Sequence, residues 1–158
     1  MYTAYPVHYY YRQGFTPIWA TSANEAFALM KMAVQGEKSD ELFYDALIKL
    51  APNANQAMII TSIRNDERAH NQMFREMYKD LTGQDIGQES QATAEPVDSY
   101  LSGLQTAFQG ELSAVERYRK IWFGLPYGIY KDTVWGIILD EQKHVDKYNN
   151  LITYNLPR

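Results

Sequence analysis

The chain has 158 residues, 46% of them hydrophobic and 22% charged, with a net charge of −4, which suits one domain with a real core. Mild acidity without a basic block argues against a nucleic-acid groove or an anionic membrane surface, and no apolar run approaches the ~20 residues that span a bilayer. Cysteine is absent, which excludes disulfides, thiolate catalysis and sulfur-ligated iron or zinc within this chain.

The first segment, residues 1–20, is rich in aromatics (Tyr2, Tyr5, Tyr9, Tyr10, Tyr11, Phe15, Trp19) and is interrupted by Pro6, Gly14 and Pro17. It reads as an arm, either strapped across the surface of the domain or recruited for assembly. It has neither the basic nor the apolar region of a secretory signal, so a cytoplasmic location is expected. Residues 21–158 form the domain proper. A first helix is predicted from Ser22, where Ser22-Ala23-Asn24-Glu25 has the form of a capping box, to about Leu50. Phe27, Met30, Val34, Leu42 and Leu47 mark its apolar stripe, and Glu37 falls on that stripe. Asn53, after Pro52, is placed to cap a second helix that runs to about Leu81 and stops at Thr82-Gly83. From Gly83 to Glu95 the composition turns to Gln, Gly, Ser and Thr, the mark of a linker. A third helix is expected from about Pro96 to Phe123, and a fourth from Gly128 to Ile152 after the turn at Gly124-Leu125-Pro126.

The predicted fold is therefore all-α, an antiparallel four-helix bundle made of two helical hairpins. The second helix would be about 42 Å long at ~1.5 Å per residue. The linker can stretch to about 50 Å, enough to run back along the bundle and start the third helix parallel to the second. One long crossover is the ferritin-like arrangement.

Shifting the sequence by the interval from His70 to His144 aligns the two hairpins without a gap. Ala33-Val34-Gln35-Gly36-Glu37 falls on Ala107-Phe108-Gln109-Gly110-Glu111, Tyr44 on Tyr118, Pro52 on Pro126, and Asp66-Glu67-Arg68-Ala69-His70 on Asp140-Glu141-Gln142-Lys143-His144. The matches concentrate in polar residues that helix packing does not require. Glu37 and Glu67 stand equally far from Pro52, and Glu111 and Glu141 equally far from Pro126. In antiparallel pairs such residues share a height, so four glutamates are expected in one layer near the middle of the bundle. His70 and His144 join it, three residues on from Glu67 and Glu141 along the same helix faces. Burying an unpaired carboxylate costs several kcal/mol, about as much as burying two leucines returns. Two divalent cations remove that cost, because four carboxylates neutralise them and two imidazoles complete the ligation. Oxygen-rich ligands with two imidazoles suit iron or manganese.

With these residues in view, the sequence over 22–152 resembles the ferritin-like di-iron carboxylate superfamily, specifically its rubrerythrin and bacterioferritin branch. The resemblance implies that Glu37 and Glu111 are terminal carboxylates, that Glu67 and Glu141 bridge, and that His70 and His144 each cap one metal. It also implies that Tyr44 and Tyr118 hydrogen-bond a carboxylate of the opposite hairpin, and that Asp66 and Asp140 orient histidines. Ala114 stands where rubrerythrins usually carry a further glutamate used in peroxide turnover, and the rubredoxin iron site is missing. Arg68 stands where haem-binding bacterioferritins carry methionine, so no haem is expected. The implied activity is oxidation of Fe(II) by O2 or H2O2. Its alternatives are peroxide reduction with an external electron donor and a metal-stabilised structural or assembly role. A homodimer is expected rather than a storage cage.

Overall fold

The computed structural model describes residues 17–35, 37–87 and 96–157, the side chains of Glu37 and Lys38 excepted. Five helices occupy these residues: α1 (Ala23–Val34), α2 (Glu37–Leu50), α3 (Ala54–Thr82), α4 (Tyr100–Gly124) and α5 (Ile129–Asn155). There is no strand among the described residues. Local chemistry sets most of the ends. Ser22 and Glu25 form a reciprocal capping box at α1, and the Asn53 side chain accepts the Gln56 N–H at 3.0 Å to start α3. Gly83 closes α3 in the left-handed region at φ 70°, its N–H reaching the Lys79 carbonyl at 2.8 Å.

Three boundaries differ from expectation. The first predicted helix is two helices, because Gln35 leaves helical geometry at φ −72°, ψ 132°. The Val34 carbonyl beside this break accepts a hydrogen bond at 3.3 Å from the Asn71 side chain, which is buried on α3. α4 starts at Tyr100 rather than near Pro96, because Ser99 and Ser102 form their own capping box. α5 continues past Ile152 to Asn155 and stops where Leu156, extended at ψ 139°, precedes Pro157.

Side-chain pairings fix the directions. Phe27 meets Tyr78 with ring centroids 6.3 Å apart, and Asp45 meets Arg64 at 2.5 Å, so α3 runs against α1 and α2. α4 also runs against them. A Cβ on Gly103 would come within 2.7 Å of Leu47, and one on Gly124 within 2.7 Å of Ala26 and of the Ser22 carbonyl. These two glycines let the helices approach at both ends of α4. α5 runs against α3, since Tyr130 bonds Asp80 at 3.1 Å and Asn155 bonds Gln56 at 2.9 Å. α3 and α4 are thus parallel, so the end of α3 and the start of α4 lie at opposite ends of the molecule. Ile86, at the start of that path, is buried, and its carbonyl accepts from Arg75 at 2.9 Å. Residues 88–95 of the predicted linker and 1–16 of the predicted arm lie outside the described residues. The described end of the arm places Trp19 against the Arg119 guanidinium, 4.0 Å from the ring centroid.

The apolar core is divided in two. One cluster gathers Met30, Phe74, Tyr118, Ile121 and Ile137; the other gathers Leu47, Ile60, Leu104, Tyr148 and Leu151. Between them lies a layer containing His70, Glu111, Glu141 and His144, all buried. No described helix is long and apolar enough to cross a membrane.

Candidate metal centre

α3 supplies Asp66, Glu67 and His70, and α5 supplies Asp140, Glu141 and His144 at the same spacing. Antiparallel packing turns the two triplets toward each other and crosses their partners. His70 Nδ1 lies 3.0 Å from Glu141 Oε1 and 3.7 Å from its own neighbour Glu67. His144 Nδ1 lies 3.0 Å from Glu67 Oε1 and 3.4 Å from Glu111 Oε2. The two imidazoles stand 6.0 Å apart, centroid to centroid. Ligand atoms of Glu67, Glu111, Glu141 and His144 all lie within 4.8 Å of one another, a spacing that can hold a metal ion.

Each histidine turns its other nitrogen outward to an aspartate from the opposite hairpin. His70 Nε2 meets Asp140 Oδ2 at 3.2 Å, and His144 Nε2 meets Asp66 Oδ2 at 3.0 Å. In the neutral imidazole, a proton held on Nε2 by these carboxylates would leave the Nδ1 lone pair facing the centre. The Tyr44 hydroxyl, from α2, donates to Glu111 Oε1 at 3.4 Å, again across hairpins. Tyr118 is buried against Phe74, centroids 4.9 Å apart, beside Glu141 and Glu67. Its counterpart interaction would involve Glu37, whose side chain lies outside the described residues, as does that residue's predicted ligand role.

The interior of the layer is electrostatically unsettled. Burial opposes charge on both histidines, yet close carboxylates raise them to about 10, Glu141 and Glu67 at His70 and Glu111 and Glu67 at His144. Burial, together with the charges of Glu67 and Glu111, raises Glu141 to about 9 against the pull of His70. At Glu67 burial acts the same way but is outweighed by the nearby imidazoles of His144 and His70, so its carboxyl sits low. Without a metal, then, the layer retains protons on His70, His144 and Glu141 at neutral pH. Even so, five buried atoms have no hydrogen-bond partner: Glu67 Oε1, His70 Nδ1, both Glu141 oxygens and His144 Nδ1. Some of them lie 3.0 Å apart without hydrogen-bond alignment. Five buried nitrogen and oxygen atoms that converge on one point without aligned hydrogen bonds make a donor set that a cation would satisfy. The donor set, carboxylates with imidazole nitrogen, fits a divalent cation.

Two features were not apparent from the sequence. Tyr148, four residues beyond His144 on α5, is fully buried beside Tyr44, and burial pushes its hydroxyl well above the tyrosine range. Its position in the repeat is held by Phe74, so a search for identities passes over it, although helical spacing from His144 points to it. The second is a cavity of about 440 Å³ beside the α1–α2 break. It is walled by Met32, Phe43 and Ala107 and reaches Glu67, Glu111 and Glu141.

The family model described as Rubrerythrin matches residues 28–101, just under half of the chain, from α1 to the first residues of α4. No curated protein and no solved structure gives a match.

Proposed function

Because the chain belongs to the rubrerythrin branch of the ferritin-like di-iron carboxylate superfamily, we propose that it is a di-metal carboxylate protein that oxidises Fe(II) with O2 or H2O2. In this reading α1 and α2 together fill one position of a ferritin-like four-helix bundle spanning residues 21–158. Glu67 and Glu141 lie between both histidines and would bridge. His70 and His144 would each cap one ion, Glu111 would serve the ion beside His144, and Glu37 the other. Manganese fits the same donors.

Iron supplies the electrons: two Fe2+ losing one each can reduce H2O2, with two protons, to two waters, or O2 to H2O2. The chain supplies position and charge. The aspartates hold the imidazoles by Nε2, and Tyr44 steadies the Glu111 carboxylate by one oxygen while the other faces His144 Nδ1. His70, His144 and Glu141 would give up their protons to solvent as metal enters, and the protons that oxygen reduction consumes would come from water. The cavity beside the α1–α2 break gives small solutes a path to the carboxylates.

The observation that carries this reading is the convergence of five unpartnered buried nitrogen and oxygen atoms between α3 and α5. Mixing metal-free protein anaerobically with Fe2+ and then admitting air is expected to raise a near-UV ferric absorbance that saturates at two irons per chain. The Glu67→Ala variant should not show it. No uptake by the unaltered protein rejects the proposal. The family match also favours peroxide reduction drawing on an external donor. Faster turnover with H2O2 and a reductant than with O2 would select that activity.

A further inference from the structure

Lys143 stands between the two aspartates that hold the histidines. Its Nζ lies 2.5 Å from Asp140 Oδ1 and 3.3 Å from Asp66 Oδ2. Asp140 uses its other oxygen for His70, and Asp66 presents the contacted oxygen to His144. One ammonium therefore closes a continuous chain from His70 through Asp140, Lys143 and Asp66 to His144, spanning α3 and α5. The repeat offers no second lysine, since the residue matching Lys143 is Ala69.

We propose that Lys143 is a positioning residue shared by both halves of the metal centre, fixing the two His–Asp pairs at once by bridging the aspartates that hold them and offsetting part of their mutual repulsion. The proposal rests on the di-metal reading above. Without the ammonium, two carboxylates on facing helices repel each other and are free to swing into solvent, each taking the orientation of its histidine with it. The Lys143 side chain is 46% exposed, and exposed ion pairs add little to folding stability. Its removal should therefore be felt in metal affinity and hardly at all in the fold. The asymmetry also separates Lys143 from its partners. Loss of Asp66 loosens His144 alone, loss of Asp140 loosens His70 alone, and loss of Lys143 loosens both.

The test is titration of the full, metal-free chain with Co2+, followed by its visible ligand-field absorbance and by dialysis equilibrium. The unaltered chain should bind two ions. Lys143→Met should bind both about 3- to 10-fold more weakly, less than the 10- to 100-fold typical of losing a direct hydrogen-bond partner of a ligand. Asp66→Asn and Asp140→Asn should each split the titration into one tight and one weakened ion. Lys143→Arg, whose guanidinium can span two carboxylates, should restore most of the affinity, and the metal-free variants should unfold near the temperature of the unaltered chain. The idea is overturned if Lys143→Met binds both ions normally, weakens one only, or is not rescued by arginine. An unaltered chain that takes up no Co2+ overturns the metal centre itself, a separate failure.

Discussion

The two hairpins carry nearly the same polar residues, yet they are built differently at one point. In the second hairpin, α4 passes through Gln109-Gly110-Glu111 as an unbroken helix. In the first, the matching Gln35 ends α1, and α2 begins again at Glu37. Glycine alone does not decide this, since both hairpins have it at the same place. The difference lies on the facing helices. Asn71 reaches the Val34 carbonyl, and Arg75 holds Asn71 by its Oδ1 at 2.8 Å and the Ile86 carbonyl at 2.9 Å. The matching positions on α5 are Val145 and Asn149. A buried amide that can take the place of a lost helical hydrogen bond makes the break tolerable in one half only. The consequence reaches the centre: the Glu67 side chain is 24% exposed and Glu141 is 1% exposed, and the cavity opens on the broken side.

The largest effect expected is on the pH dependence of metal loading. His70 and His144, held near 10, and Glu141, near 9, are protonated in the metal-free protein below pH about 9, whereas Glu67 is already ionised. Those three protons must leave, so the joint binding constant should fall by up to about 1,000-fold per pH unit as pH is lowered below 9. Proton release measured during Co2+ binding at pH 7 should approach three per chain; release of none would refute the assignment. Next comes the symmetry of the bridges. Glu67→Ala and Glu141→Ala should each weaken both ions by at least about 100-fold despite their unequal exposure, which metal analysis after dialysis would reveal. If only one ion is lost in either variant, the carboxylate concerned is not shared.

Smaller effects concern the scaffold. Asn71→Val, which copies the second half into the first, should destabilise the protein by about 1–3 kcal/mol in urea unfolding, because the Val34 carbonyl loses the Asn71 amide and Arg75 loses one of its acceptors. An unchanged midpoint would mean that the break does not depend on Asn71. Tyr148→Phe copies the first half into the second and should change stability by less than about 1 kcal/mol, since its buried hydroxyl contributes no hydrogen bond.

Much of this was legible in the sequence. Ser22, Asn53 and Gly83 act through neighbours within four residues, and such signals can be read locally. Ser99 over Pro96 was a contest between two local signals, decided by the reciprocal bond with Ser102. The gathering of Glu67, Glu111, Glu141 and both histidines followed from spacing about the turns. The break at Gln35 was hidden because its cause, Asn71, lies on another helix. The crossing of Asp66 to His144 and of Asp140 to His70 was hidden for a similar reason. Each aspartate sits four residues before a histidine on its own helix, so local pairing was equally open until α3 and α5 were placed face to face.

The central claim is that the polar layer between the two apolar clusters exists to hold a pair of cations. Anomalous diffraction from crystals of the full chain grown with Mn2+ tests it most directly. Two peaks are predicted, both bounded by Glu67 and Glu141, with His70 Nδ1 against one and His144 Nδ1 against the other. A layer without a peak, its carboxylates instead bonded to one another or to protonated imidazoles, would contradict the account.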